Sequence, residues 1–225
     1  MSYIQEHGGL NNHWLIENGI NPQNILDFSV NINPHPIHPK IQEAFQAIDL
    51  TEYPEPSSHH LRSQIALKNQ VDYQQVLVGN GAAELIWLIA HVFLRRRKVL
   101  IVSPTFGEYR RAAKAVKAYI DEWIAQPPHF SIDLEALEQM LMLQTPHYVI
   151  LCNPNNPTGY WLKDEEIRQL AITHPNIIFI LDESYRSFVF DSPFSPPLAD
   201  NIIHLRSMTK DFALAGLRIG YLLAD

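Results

Sequence analysis

From residue 80 onward, short apolar runs alternate with segments of helical periodicity, and this restricts the chain more than any other feature. Lys98–Ser103 (KVLIVS), His147–Cys152 (HYVILC) and Asn176–Leu181 (NIIFIL) read as strands. Tyr119–Ile124, Asn201–Leu205 and Leu217–Leu223 are further strands, and a strand-to-helix turn at Gly79 implies another before it. Phe106–Ala118, Ile132–Leu143 and Asp164–Thr173 carry the helical pattern. Apolar strands separated by helices build α/β folds: here, a mostly parallel seven-stranded sheet with helices on both faces. Helical crossovers place the loops that follow strands on one edge, where open α/β sheets bind ligands.

Residues 1–70 differ. Pro34, Pro36, Pro39, Pro54 and Pro56 punctuate them, and helix-like segments near 10–18 and 39–48 are joined by extended chain. The expected organisation is an N-terminal arm and partial small domain over 1–50, followed by a large domain over 51–225. A formal net charge of −7 gives no bulk attraction for nucleic acid or an anionic membrane. Arg95-Arg96-Arg97-Lys98 reads as a solvated loop. A single cysteine, Cys152, permits no internal disulfide and fits a reducing cytosol. The apolar stretches are broken by charge short of a membrane span, and no signal peptide is visible, so a cytoplasmic location is expected. His35, His38, His59 and His60 lack metal-site spacing, and no metal is expected.

Four clusters fall just after strands. Gly79-Asn80-Gly81-Ala82-Ala83-Glu84 opens an apolar helix, where free N–H groups can hold an anion; steric need alone also explains the glycines. Asn153-Pro154-Asn155-Asn156-Pro157-Thr158-Gly159 is a rigid turn carrying three Asn side chains. Asp182-Glu183-Ser184-Tyr185 puts an acid at a strand end, able to cap, to pair or to meet a cationic ring nitrogen. Ser207-Met208-Thr209-Lys210, followed by Gly216-Leu217-Arg218, supplies an amine able to form a Schiff base if its surroundings lower its pKa. Singly each has a bland reading. Together they match a cofactor with an aldehyde, a phosphate and a pyridine nitrogen.

This order of parts resembles the fold-type I, class I/II aminotransferase family, over nearly the whole chain. The resemblance implies pyridoxal 5′-phosphate (PLP) as cofactor, carried on Lys210, with Asp182 paired to the ring nitrogen and Tyr185 and Asn156 bonded to the ring's phenolic oxygen. It implies that Gly81, Ala82 and Ala83 hold the phosphate with Ser207 and Arg218. Phe106 matches the aromatic that stacks on the ring, although core packing explains it nearly as well. Tyr53 matches a tyrosine that reaches the phosphate from the other subunit of a homodimer.

Within the family, His7-Gly8-Gly9, the stretch Asp27-Phe28-Ser29-Val30-Asn31-Ile32-Asn33-Pro34, and Tyr53-Pro54 resemble the decarboxylases of threonine phosphate in cobalamin biosynthesis. His7, Gly8 and Asn31 would then contact a small phosphorylated amino-acid substrate, as would Asn156. An imidazole, a free backbone N–H and an amide suit a phosphate or carboxylate. Histidinol-phosphate aminotransferases, or other class I/II aminotransferases, are the alternative within the family. The chain ends at Asp225, directly after an apolar strand. The resemblance therefore leads us to expect that a C-terminal small domain supplying substrate-binding arginines is missing. On that reading a catalytically inactive PLP-binding fragment is the alternative of another class.

Overall fold

The computed structural model describes residues 9–190 and 199–225. The arm carries two short helices, α1 (Asn12–Glu17) and α2 (Pro39–Gln46). The Asn11 side chain caps α1 by accepting from Trp14 N at 3.0 Å, and Pro39 opens α2 where its missing N–H costs nothing. A third helix, α3 (His59–Asn69), lies in the stretch read as proline-punctuated arm. Its apolar stripe is thin, so periodicity did not reveal it. Ile65 and Ala66 nevertheless pack with Val76, Tyr221 and Leu223, which fastens α3 to one edge of the sheet.

The strands are β1 (Val76–Gly79), β2 (Lys98–Ser103), β3 (Tyr119–Ile124), β4 (Tyr148–Cys152), β5 (Ile178–Asp182), β6 (Ile202–Ser207) and β7 (Gly220–Leu223). They form one seven-stranded sheet in the order β1-β7-β6-β5-β4-β2-β3. The expected mostly parallel α/β fold is present: β3, β2, β4, β5 and β6 run parallel, while β7 pairs antiparallel with both β6 and β1. Two boundaries moved for physical reasons. Strand β6 runs on through Arg206, a buried charge that an apolar reading does not extend across. Strand β7 begins only at Gly220, because residues 215–217 form a 3₁₀ turn and Arg218 is left-handed at φ 55°. The Arg95-Arg96-Arg97 run is exposed, as expected.

Alternation along the central strands sends side chains to opposite faces. Val99, Ile101, Ile150 and Ile180 pack with α4 (Gly81–Ile89) and α5 (Gly107–Ala115). Leu100, Val149, Leu151 and Phe179 pack with α6 (Leu134–Gln144) and α7 (Asp164–Thr173) on the other side. Helices therefore cover both faces, and the strand ends are what remain for a ligand. Among the described residues no helix is long and apolar enough to cross a membrane.

The sheet also contains a buried ionic group. Glu183 Oε2 accepts from Arg206 Nε at 2.7 Å and lies 3.0 Å from His204 Nδ1. Asn69 of α3 accepts from the same guanidinium. Burial alone would raise the Glu183 pKa, but the hydrogen bond to His204 and the charge of Arg206 outweigh it and hold it down to about 2. Replacing Glu183 with alanine strands the Arg206 charge, at an expected cost of about 3–5 kcal/mol. The check is a lower midpoint in urea with an unchanged slope. Because the folded-state pKa is depressed, this stabilisation is present above the ordinary value of 4.5 and is lost as pH falls toward about 2. Glu183→Ala should therefore lose less stability on acidification than wild type. Equal acid sensitivity in the two proteins would argue against the pairing.

Candidate active site

The register of the strands determines which residues meet at the sheet edge. Cys152 pairs with Asp182 and Asp182 with Leu205, at the C-terminal ends of parallel neighbours. Gly220 pairs with both Ser207 and Gly79, so the turn after β1 arrives beside the end of β6. The loops here form a cavity of about 90 Å³, lined by Ala82, Ala83, Phe106, Asn156, Asp182, Tyr185, Ser207, Lys210 and Arg218. A wider cavity continues outward past Asn31, Phe106, Asn156, Tyr185, Lys210 and Arg218.

At one wall of the cavity Asp182 is buried. Its Oδ2 accepts from Tyr109 Oη at 2.6 Å and its Oδ1 from Ser184 N at 2.8 Å. Burial raises its pKa, and these two bonds oppose the rise without cancelling it. Both donors are neutral, so the carboxylate stands in low dielectric facing a cavity with room for a cation. Tyr109 was read from the sequence only as part of a helix. It too is buried, its hydroxyl pKa raised well above the usual value by burial and by Asp182. Phe106, one turn earlier, meets its ring edge-on at 5.7 Å, so Phe106 both packs on the core and faces the cavity.

Another part of the site is shaped for an anion. Gly81 has φ +81°, and a Cβ there would lie 2.9 Å from Arg218 Nη2, so only glycine lets the guanidinium lie against the start of α4. A Cβ on Gly220 would meet Ala82 N at 2.7 Å, which is backbone and cannot yield. These two glycines thus seat Arg218 and the first turn of α4 together. Partial positive charge and free N–H groups gather at such a helix start. Ser207 completes this region, its Oγ 2.7 Å from Thr209 Oγ1.

Lys210 stands between them, half-buried, its Nζ 5.9 Å from the centre of the Tyr185 ring. Burial lowers its pKa and Arg218 lowers it further, while Asp182 acts the other way. A lowered pKa leaves more of the amine neutral and nucleophilic near neutral pH. The Tyr185 hydroxyl is raised by burial, countered by a hydrogen bond with Asn31 of the arm.

The structure thus brings together Gly81, Ala82, Ala83, Phe106, Asn156, Asp182, Tyr185, Ser207, Lys210 and Arg218, with Asn31 at the mouth. Tyr53 is 99% exposed and lines no part of this cavity. His7 and Gly8 lie outside the described residues. Tyr109, Ser184, Thr209 and Cys152 also line the cavity and were not singled out for it from sequence. For Tyr109 the one available signal was its position three residues after Phe106. Cys152 is a buried free thiol, pushed up to about 12 chiefly by burial. No group of three His, Cys, Asp or Glu side chains is arranged to hold a metal among the described residues.

A seven-stranded α/β sheet with an amine, a buried acid and an anion cradle facing one cavity defines the large domain of a PLP-type transferase fold. The sequence profile of class I and II aminotransferases matches residues 23–225, and the chain belongs to that family. It is 36% identical over 225 residues to the threonine-phosphate decarboxylase of Salmonella typhimurium, covering 96% of this chain and 61% of that one. It is 30% identical over 209 residues to the histidinol-phosphate aminotransferase of Ruminiclostridium cellulolyticum, covering 89% of this chain and 58% of the other. Among solved structures, the L-threonine-O-3-phosphate decarboxylase of Porphyromonas gingivalis aligns with a TM-score of 0.69 at 31% identity, over 82% of this chain and 57% of that one. The chain thus spans about 60% of the length of the Salmonella relative.

Proposed function

We propose that this chain binds PLP in the cavity at the sheet edge and forms part of an enzyme acting on a small phosphorylated amino acid, with decarboxylation of L-threonine O-3-phosphate as the reaction. The observation that carries the cofactor reading is Asp182, a buried carboxylate with neutral donors on both oxygens, facing the same cavity as the half-buried Lys210. A protonated ring nitrogen would place a cation directly against this carboxylate. The seat formed by Gly81, Ala82, Ala83, Ser207 and Arg218 suits the phosphate, and Tyr185 and Asn156 present polar groups to the ring's edge. Phe106 offers its ring for stacking.

When bound, the cofactor supplies an electron sink for the bond broken at the substrate's α-carbon. The chain's own residues do the rest. Lys210 would hold the cofactor and would serve as a base or acid at the substrate's α-carbon. Asp182 keeps the proton on the ring nitrogen. Orientation of the substrate decides whether the carboxylate or the hydrogen stands perpendicular to the ring and is lost. Asn31, bonded to Tyr185 at the cavity mouth, together with His7 and Gly8 of the same arm, is our candidate for setting that orientation. The fully exposed Tyr53 is our candidate for reaching the phosphate of a second copy in a homodimer in the cytoplasm.

Identity of 36% to a threonine-phosphate decarboxylase supports the decarboxylation. Histidinol-phosphate transamination is the second reading, favoured by relatives at 30% identity over 89% of the chain. The deciding assay offers the full-length polypeptide threonine phosphate, and separately histidinol phosphate with 2-oxoglutarate. We expect carbon dioxide and (R)-1-amino-2-propanol O-2-phosphate from the first. Rapid transamination of the second pair without carbon dioxide release from the first would transfer the assignment to an aminotransferase.

A further inference from the structure

The turn that carries Lys210 is held from outside itself. It joins β6 to β7, and two of its non-glycine residues, Ala213 and Arg218, stand in the left-handed region at φ 55°. Such a backbone costs free energy that the surroundings must offset. Within the turn, Thr209 N bonds Ser207 Oγ at 3.2 Å and Met208 N bonds Ile219 O at 3.1 Å, both on the sheet side of the lysine. At the lysine itself the hold comes from the arm. Asn33 N donates to Lys210 O at 2.9 Å, and Asn33 Nδ2 donates to Asp211 O at 2.7 Å, across 178 residues of sequence. Asn33 Oδ1 accepts from His35 N at 2.9 Å. That third bond fixes which end of the amide faces the turn, so the donor end meets the carbonyl. Every polar group of the Asn33 side chain, and its backbone N–H, is used. Pro34 follows and biases Asn33 toward extended backbone, removing alternatives for the clamp before it forms.

We propose that Asn33 is a positioning residue that clamps two successive carbonyls at Lys210 and so registers the lysine amine against the arm. The inference rests on the reading of Lys210 as the cofactor-bearing residue. Its consequence is mechanical. Asn31, two residues earlier, bonds Tyr185 at the cavity mouth, so one short piece of arm sets both a candidate substrate contact and the turn bearing the amine. Loss of the clamp should loosen the turn without touching the cavity's chemistry.

Two variants of the full chain test this. Asn33→Ala removes the side-chain donor. Asn33→Asp keeps the shape and the acceptor for His35 N, but turns an acceptor toward the Asp211 carbonyl. Hydrogen exchange is measured first without cofactor. Amides of residues 208–218 are expected to exchange roughly five- to tenfold faster in both variants, the size of one lost hydrogen bond, while helix α7 keeps its wild-type rate. In the wild type, the Asn33 amide itself should be protected; this needs no variant. PLP is then titrated. Affinity should fall by a similar factor, and the pH midpoint of the bound cofactor's visible band should shift, which a general loss of stability would not cause. Wild-type exchange over 208–218 in Asn33→Asp, or an unprotected Asn33 amide in the wild type, overturns the clamp. A wild-type chain that shows the protection but gives no borohydride-fixed label on Lys210 upholds the clamp and refutes the cofactor reading instead.

Discussion

Lys210→Ala should abolish covalent capture of the cofactor. In the wild type, PLP followed by borohydride is expected to leave a near-stoichiometric label on the peptide that contains Lys210; in the variant the label should fall to background. Lys210 is the amine among the residues that line the cavity, and burial together with Arg218 lowers its pKa from the usual lysine value. Lys210→Arg should fail equally, because a guanidinium stays protonated and is no nucleophile. The alanine change should not weaken the fold. A lysine whose pKa is lowered in the folded state destabilises that state when charged, so an uncharged replacement relieves the burden; the alanine variant should melt at or above the wild-type temperature. A label that persists in Lys210→Ala, on any other lysine, would end the assignment.

Asp182→Asn should separate cofactor binding from stability. Removing one partner of a buried charge pair costs about 2–5 kcal/mol of binding, so PLP affinity is expected to fall by thirtyfold or more. Without cofactor the sign reverses. The folded-state pKa of Asp182 is raised above 3.8 by burial, so its carboxylate opposes folding once the pH exceeds that value. Cofactor-free Asp182→Asn should therefore be more stable than wild type at neutral pH and converge with it below about pH 4. Tyr109→Phe provides a graded comparison: it keeps the packing against Phe106, loses the 2.6 Å bond to Asp182 and should weaken PLP binding by about 1 kcal/mol. Titration of each variant with PLP, and urea melts with and without it, measure both halves. Wild-type affinity in Asp182→Asn would show that the ring nitrogen does not meet this side chain.

The parts of this structure legible from sequence were those whose physics is local. Strands such as Lys98–Ser103 and Tyr148–Cys152 announce themselves by apolar runs, and the glycines around residue 80 by the turn they permit. The site residues at strand ends followed from the edge rule together with the order of motifs. What stayed hidden depends on partners far along the chain. Arg206 sits in a strand because Glu183 neutralises it and Glu183 and Asn69 accept its hydrogen bonds, and no short window of sequence around Arg206 contains either. Tyr109 looks like any helix-face aromatic until β5 brings Asp182 to its hydroxyl. Asn33 was visible within a motif, yet its task is defined by two carbonyls 178 residues away in one case. Helix α3 escaped because its burial is supplied by β1 and β7, not by a broad apolar face of its own.

The antiparallel edge β1-β7 has a consequence for how the chain is made. Among the described residues strand β1 has a single neighbour in the sheet, and that neighbour is β7, the latest of the seven in chain order. As the polypeptide leaves the ribosome, β2 to β6 find their partners among strands already synthesised or soon to follow, whereas β1 must wait for residues 220–223. The seat around Gly81 and Arg218 comes into being at that same late moment, since its two sides adjoin the first and the seventh strand in chain order. Non-local pairings of this kind close slowly. A ligand that grips both sides would selectively stabilise the completed sheet over any nascent form lacking β7. Cofactor supply during translation, and not only after it, should then influence how much of the protein reaches its native state.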